Sequence, residues 1–171
     1  GLSIANQIKE KRPDLSILII DKEKQLGLHS SGRNSGVLHA GVYYEPNSLK
    51  AKVCIDGARR LRSWCENEKI PVLTCGKVIT PQSLSLDPQL DVLYERGIAN
   101  GAKISFLNES EFYKVVPDGN TASGRALWVN DTCVVKPKQI IESLSNKLIQ
   151  KGAEILLDMN VINFKPNKRS F

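Results

Sequence analysis

Histidine, aromatic residues and long apolar runs are scarce in this chain, and each scarcity excludes something. Only two histidines, His29 and His39, occur among 171 residues. The four cysteines, Cys54, Cys65, Cys75 and Cys133, form no C-x-x-C pair and no metal-ligand spacing. A zinc site is therefore not expected, and the thiols read as reduced, mostly buried groups of a cytoplasmic protein. Aromatics make up 6% of the residues, and the lysines and arginines behind the net charge of +6 are spread along the chain. Without stacking platforms beside a basic patch, no nucleic-acid partner is expected. No apolar run approaches the about twenty residues of a membrane helix. No signal peptide is recognisable either, which leaves peripheral association as the membrane contact still compatible with the sequence. Low-complexity segments and internal repeats are also missing. At 41% hydrophobic the chain can bury a core, and its length suits one domain or parts of two.

What is present is concentrated between His29 and Tyr44, HSSGRNSGVLHAGVYY. These sixteen residues hold three glycines, three serines, both histidines, an arginine and an asparagine. Glycine lets the main chain approach a ligand with no Cβ in the way. Such a stretch suits wrapping a phosphate or a flat cofactor, and an ordinary surface loop is the plain alternative. From His29 to Arg62 six basic residues face two acids, Glu45 and Asp56. That excess favours an anionic ligand, or forms a solvated helix face.

Around this stretch the pattern alternates helix and strand. Leu2, Ile4, Ala5 and Ile8 predict a helix that Pro13 stops, and LSILIID (15–21) predicts a parallel strand buried on both faces. Asp21 lies twenty positions after Gly1. In a dinucleotide-binding unit the last fingerprint glycine opens the helix, and an acid about twenty residues on takes the ribose hydroxyls. Asp21 as a strand-end cap is the competing reading. Asn47 or Ser48 caps a helix running to about Asn67, with Leu49, Val53, Leu61, Trp64 and Cys65 as its stripe. CGKVIT (75–80) reads as a strand, and Asp87-Pro88 as a cap and first helical residue. That helix carries Leu90, Leu93, Tyr94 and Ile98 inward and ends near Gly101. A strand at 104–107, a short helix at 109–116, a strand at 126–130 and an amphipathic helix from Pro137 to Gly152 follow. The last helix places Ile140, Ile141, Leu144, Leu148 and Ile149 inward. The final stretch, 153–164, reads as a strand bent near Asp158–Asn160, and another strand or turn begins by Phe171. Alternation of this kind predicts an α/β layered architecture.

The runs GLSIA, LSILIIDKE and HSSGRNSGVLHAGVYYEPNSLKAKVCIDGARRL resemble the amino-acid-oxidase-like FAD-dependent oxidoreductases. Within them NSGVLHAGVYY, followed by SLKAK, CGKVIT and LYERGIANGA, is most similar to the L-2-hydroxyglutarate oxidases and dehydrogenases. The resemblance covers nearly all 171 residues but about the first half of such an enzyme. It implies an α/β fold: a Rossmann-like FAD-binding domain, incomplete because its first strand is missing, interleaved with part of a mixed-sheet substrate domain. The division expected is 1–74 for FAD binding, 75–130 for the substrate part and 131–171 for the return to FAD binding.

For the cofactor, FAD, the resemblance implies Gly1 at the pyrophosphate and Asp21 at the adenosine ribose. Ser31, Gly32, Arg33, Asn34, Ser35 and Gly36 run along the pyrophosphate towards the ring, and the backbone of Val161 meets the adenine. His39 is the catalytic candidate: it polarises the substrate hydroxyl, contacts the ring, or attaches to it covalently, with a structural histidine as the alternative. His29 is expected to order the loop, and Tyr43 and Tyr44 to pack. The implied reaction is oxidation of a small 2-hydroxy acid by hydride transfer to flavin, with oxygen or a quinone as electron acceptor. An amine or amino-acid oxidase with the same cofactor, and a flavin-fold piece that binds nothing by itself, are the other readings. Val116-Pro117 and Cys133-Val134-Val135-Lys136 depart from the subgroup's pattern, where acids are usual.

Overall fold

A computed structural model describes residues 1–165. Its helices are α1 (Leu2–Lys11), α2 (Leu49–Asn67), α3 (Pro88–Ala99), α4 (Glu109–Val115) and α5 (Pro137–Gln150), with one turn of 3-10 helix at Leu84–Leu86. Its strands are β1 (Leu18–Ile20), β2 (Val37–Leu38), β3 (Val72–Thr74), β4 (Lys77–Ile79), β5 (Ile104–Leu107), β6 (Ala126–Val129), β7 (Cys133–Val135) and β8 (Glu154–Leu156). Packing divides the chain into two compact units: residues 1–35 with the chain from Lys136 onward, and residues 36–135. The boundaries expected at 74/75 and 130/131 concern what each stretch binds; the packing boundaries fall at 35/36 and 135/136.

The first unit is a small α/β layer. β1 and β8 pair in parallel, Leu18 opposite Glu154 and Ile20 opposite Leu156. A parallel pair needs a crossover element, and both α1 and α5 serve this layer. Ala5, Leu148 and Ala153 form its core with Leu2, Ile17 and Ile19 packed on them. The buried Asn6 amide spans the helices, donating to the Leu144 carbonyl at 2.9 Å. α1 stops where Pro13 offers its carbonyl to the Lys9 ammonium at 3.2 Å. Two expectations need correction here. β1 is three residues long and not buried on both faces: Ile17 and Ile19 point to the core, while Leu18 and Ile20 are 50% and 42% exposed. Helices cover one face of the strand, so alternate side chains remain outside. The terminal strand is also shorter than read, because Asp158 adopts a positive φ of 57° and residues 157–165 lie outside any strand. The turn or strand expected by Phe171 falls outside the described residues.

The second unit holds two antiparallel sheets, ordered β2-β7-β3 and β4-β6-β5. β6 is central and almost wholly buried, as its uninterrupted apolar sequence Ala-Leu-Trp-Val requires. Leu127 and Val129 join Leu90 and Leu93 of α3, with Val42, Ala102 and Ile104, in the core of this unit. Gly76 separates β3 from β4 with a φ of +68°; a Cβ there would lie 2.1 Å from the Trp128 ring. β4 is the strand read at 75–80, shortened to 77–79, and β3 precedes it.

Capping explains the helix starts. The Ser48 hydroxyl accepts from the Ala51 amide at 3.1 Å. Asn108 and Glu111 exchange side-chain-to-backbone bonds in a capping box that opens α4. Asp87 is different from its expected role: its side chain makes no cap bond. Its carboxylate receives the Arg125 guanidinium at 2.6 Å, which also reaches Asp91 at 2.7 Å and lies over the Phe106 ring. The Ser123 hydroxyl and then Arg125 hold the Asp87 carboxyl below the usual carboxylate range. Four apolar helix positions are also not buried. Leu49 and Val53 of α2 are exposed, as are Ile98 of α3 and Ile149 of α5; Ala51, Gly97 and Leu148 take the buried positions. All four cysteines are free, with Cys65 and Cys133 buried, Cys54 half-buried and Cys75 exposed.

Candidate functional site

The first unit carries most of the features expected to meet a nucleotide. Gly1 is the N-cap of α1 and, as a glycine, has no side chain with which to cap it. The first-turn amides of α1 are therefore met by no capping side chain, which suits an anion at this positive helix end. β1 follows α1 after a short connection, and Asp21 directly follows its last residue, Ile20. One Asp21 oxygen accepts the Glu23 amide at 3.0 Å, so the carboxylate does cap the turn.

The loop after Asp21 is built against its own backbone. Gly27 has a φ of +72°, and a Cβ on Gly32 would stand 2.1 Å from the Gly27 carbonyl oxygen. The Gly32 and Arg33 amides donate to the His29 carbonyl at 3.1 and 3.0 Å, and the Asn34 amide group donates to the carbonyls of Ser30 and Ser31. His29 orders the loop from outside through a 2.8 Å contact between its Nε2 and the Glu23 carboxylate. Ser31, Arg33, Asn34 and Ser35 are left exposed on this frame. Val161 is 60% exposed in a segment without strand pairing.

Gly36 and His39 belong to the second unit. Gly36 is buried, takes a φ of +69°, and its carbonyl accepts the Val135 amide at 2.9 Å. Beyond β2 the stretch 39–44 is held by Asn100, whose amide donates to the Gly41 and Tyr44 carbonyls, both at 2.9 Å. Val42 then anchors it in the core.

His39 lines two depressions in this unit. One is a narrow crevice shared with Gly41, Val42, Tyr43, Lys77 and Thr132. The other is a cavity of about 250 Å³ that includes Arg59, Arg62, Asn100, Asp131 and Cys133. Although His39 as a whole is exposed, partial burial and then the Lys77 charge hold its imidazole below the ordinary histidine value. The neutral, proton-accepting form is thereby favoured at neutral pH. Tyr43 is not merely packing, because its hydroxyl accepts from the Lys77 ammonium at 2.7 Å. Tyr44 lies under Lys50. In the larger cavity Arg62 donates to Glu66 at 3.0 Å and to the Cys133 sulfur at 3.4 Å, and the Glu66 bond first of all raises the Arg62 pKa. Lys77 and Asn100 were not singled out by sequence. A lysine opening an otherwise apolar strand was the available sign of the first; nothing local marks the second.

The family model described as FAD dependent oxidoreductase matches residues 1–170. The chain belongs to this family. Among curated relatives, mouse mitochondrial L-2-hydroxyglutarate dehydrogenase is 38% identical over 165 residues, covering 94% of this chain and 34% of that protein. The L-2-hydroxyglutarate dehydrogenase of Indibacter alkaliphilus is 35% identical, covering 95% of this chain and 40% of that protein. The chain thus spans little more than a third of the curated relatives it matches. Of solved structures, FAD-bound L-alpha-glycerophosphate oxidase from Mycoplasma pneumoniae superposes with a TM-score of 0.81 at 25% identity, over 95% of this chain and 43% of that one. Glycine oxidase from Geobacillus kaustophilus gives 0.84 at 16% identity, over 96% and 45%, a likeness of fold alone. These agree with the expected α/β class and its FAD-dependent-oxidase fold. The uncapped helix start at Gly1, the strand-end Asp21 and the exposed polar loop fit the nucleotide part of a FAD-dependent family's cofactor.

Proposed function

We propose that the protein containing this chain uses FAD to oxidise L-2-hydroxyglutarate to 2-oxoglutarate. The observation that carries this reading is the identity, 33% to 38%, to relatives named L-2-hydroxyglutarate dehydrogenase along at least 91% of this chain. In this reading Gly1 and the α1 amides hold the pyrophosphate, and Asp21 accepts from the adenosine ribose hydroxyls. Ser31, Gly32, Arg33, Asn34, Ser35 and Gly36 continue along the cofactor, and the Val161 backbone meets the adenine. His39 is the catalytic residue: its neutral imidazole takes the proton of the substrate hydroxyl as the carbon–hydrogen bond breaks. Bound FAD supplies the acceptor for that hydride. The electrons pass on to oxygen or a quinone.

No helix of the described residues is long and apolar enough to cross a membrane. Free thiols suit a reducing compartment, so a cytoplasmic or peripherally membrane-associated protein is proposed.

An anaerobic titration of the complete, flavin-loaded protein tests the function. L-2-hydroxyglutarate is expected to bleach the flavin absorbance, and the D-enantiomer to leave it. Bleaching by glycine or other amines alone would move the protein to the amine-oxidising branch.

A further inference from the structure

Lys77 differs from the other cations that line depressions of the second unit. Arg62 is answered by Glu66, and Arg59 by Asp56. Lys77 is half-buried at the start of β4, between the apolar walls of Val42, Ile79 and Val129, and no acidic side chain among the described residues lies within ion-pair distance of it. Its ammonium is held instead by Tyr43, 2.7 Å from the hydroxyl and 4.2 Å from the ring centroid. A hydroxyl and a ring face orient a cation and partly compensate its lost hydration, but they do not neutralise it. Another neighbouring ionisable side chain is His39, whose imidazole burial and then the Lys77 charge push towards neutrality. The result is an oriented, uncompensated positive charge at the mouth of a crevice that also exposes a proton-accepting group.

The size of the crevice limits what reaches it. At about 10 Å³ it holds no more than a single water, so a ligand's anionic group meets the Lys77 ammonium at the rim and not inside. We propose that Lys77, oriented by Tyr43, is a specificity-determining residue that receives the carboxylate remote from the reacting carbon of a dicarboxylate substrate. This assignment rests on the function proposed above, since it explains how a 2-hydroxy diacid is chosen over a 2-hydroxy monoacid. Arg59 and Arg62 are less suited to that choice, because their charges are already matched.

The test compares two product-like acids of equal length, 2-oxoglutarate and 2-oxopentanoate, by calorimetry on the complete flavin-loaded protein. They share the oxo acid end and differ in the distal carboxylate. The wild type is expected to prefer 2-oxoglutarate. Lys77→Met should weaken 2-oxoglutarate by about ten- to a hundredfold, the size expected when a hydrogen bond to a charged group is lost. The loss for 2-oxopentanoate should stay below about threefold, a change worth less than half of a tenfold step. Lys77→Arg should recover part of the preference, and Tyr43→Phe should lose part of it, with flavin content measured for each variant. Equal weakening of both acids by Lys77→Met would mark the lysine as structural and overturn the assignment. If the wild type prefers 2-oxoglutarate and Lys77→Met keeps that preference, Lys77 alone is misassigned. A wild type that does not distinguish the two acids overturns the substrate reading, and this assignment with it.

Discussion

Asp21 holds two jobs in one carboxylate, and the two can be separated. One oxygen accepts the Glu23 amide, a turn contact that an amide oxygen would make equally well. The ribose contact proposed for it needs the negative charge. Asp21→Asn should therefore keep the thermal midpoint while weakening FAD by about ten- to a hundredfold, from losing a bond of about 1.5–3 kcal/mol. Asp21→Ala should lose both, and equal FAD affinity in wild type and Asp21→Asn would leave only the turn. His39 is read through pH. The charged groups around its two depressions are Lys77, Arg59, Arg62 and Asp131. Because burial and Lys77 lower its pKa, the proton-accepting form is populated down to below the ordinary histidine value of about 6.5. In the complete enzyme kcat/KM should rise with pH through a pKa below that value and then level off. Lys77→Met removes one of the two depressing causes and should move that limb to higher pH. A limb that stays in place in the variant would sever the link between the two side chains.

At the level of elements, the loop from Gly27 to Asn34 is the part least tolerant of side chains. Gly32 touches the Gly27 carbonyl so closely that a methyl group cannot be placed without moving backbone. Gly32→Ala should open the loop, disturb the His29 carbonyl contacts and lower the flavin content of the purified protein. Fluorescence of released FAD per protein measures this directly, and a fully loaded variant would show that the loop does not frame the cofactor. The helices tell the opposite story, since their ends are written locally. Ser48, the Asn108–Glu111 box, Pro137 and the Gly152 terminator all act within a turn of where they stand, and sequence reading placed α2, α4 and α5 within a residue or two at most ends. β2, β3 and β7 escaped it, being two or three residues long. Such strands show no period, and they exist because Val134 and Cys133 find partners on both sides at once.

For the whole molecule, each compact unit has its own apolar cluster, and the smaller cluster is the more vulnerable. Leu148 is fully buried among Ala5 and Ala153, small neighbours that cannot collapse into a void. Leu148→Ala should cost about 2–5 kcal/mol of stability in chemical denaturation. A loss below about 1 kcal/mol, the size of a mild truncation such as Ile→Val, would mean that the layer repacks.

The sequence by itself determined the family, the alternation of helix and strand, the helix caps and the polar glycine-spaced loop. These depend on local propensity and on a distinctive run of residues, both readable without distant contacts. The tertiary structure decided which apolar side chains are outside, because the exposure of Leu18, Ile20, Leu49 and Val53 depends on what packs over each face. It turned Asp87 from a cap into a partner of Arg125, thirty-eight residues away. It also brought Lys77 to Tyr43 across a separation of thirty-four residues, and with them the charge that tunes His39. A single ammonium has no periodicity or spacing to announce its partner, so the meeting exists only once β4 and the 39–44 stretch are folded against the same core.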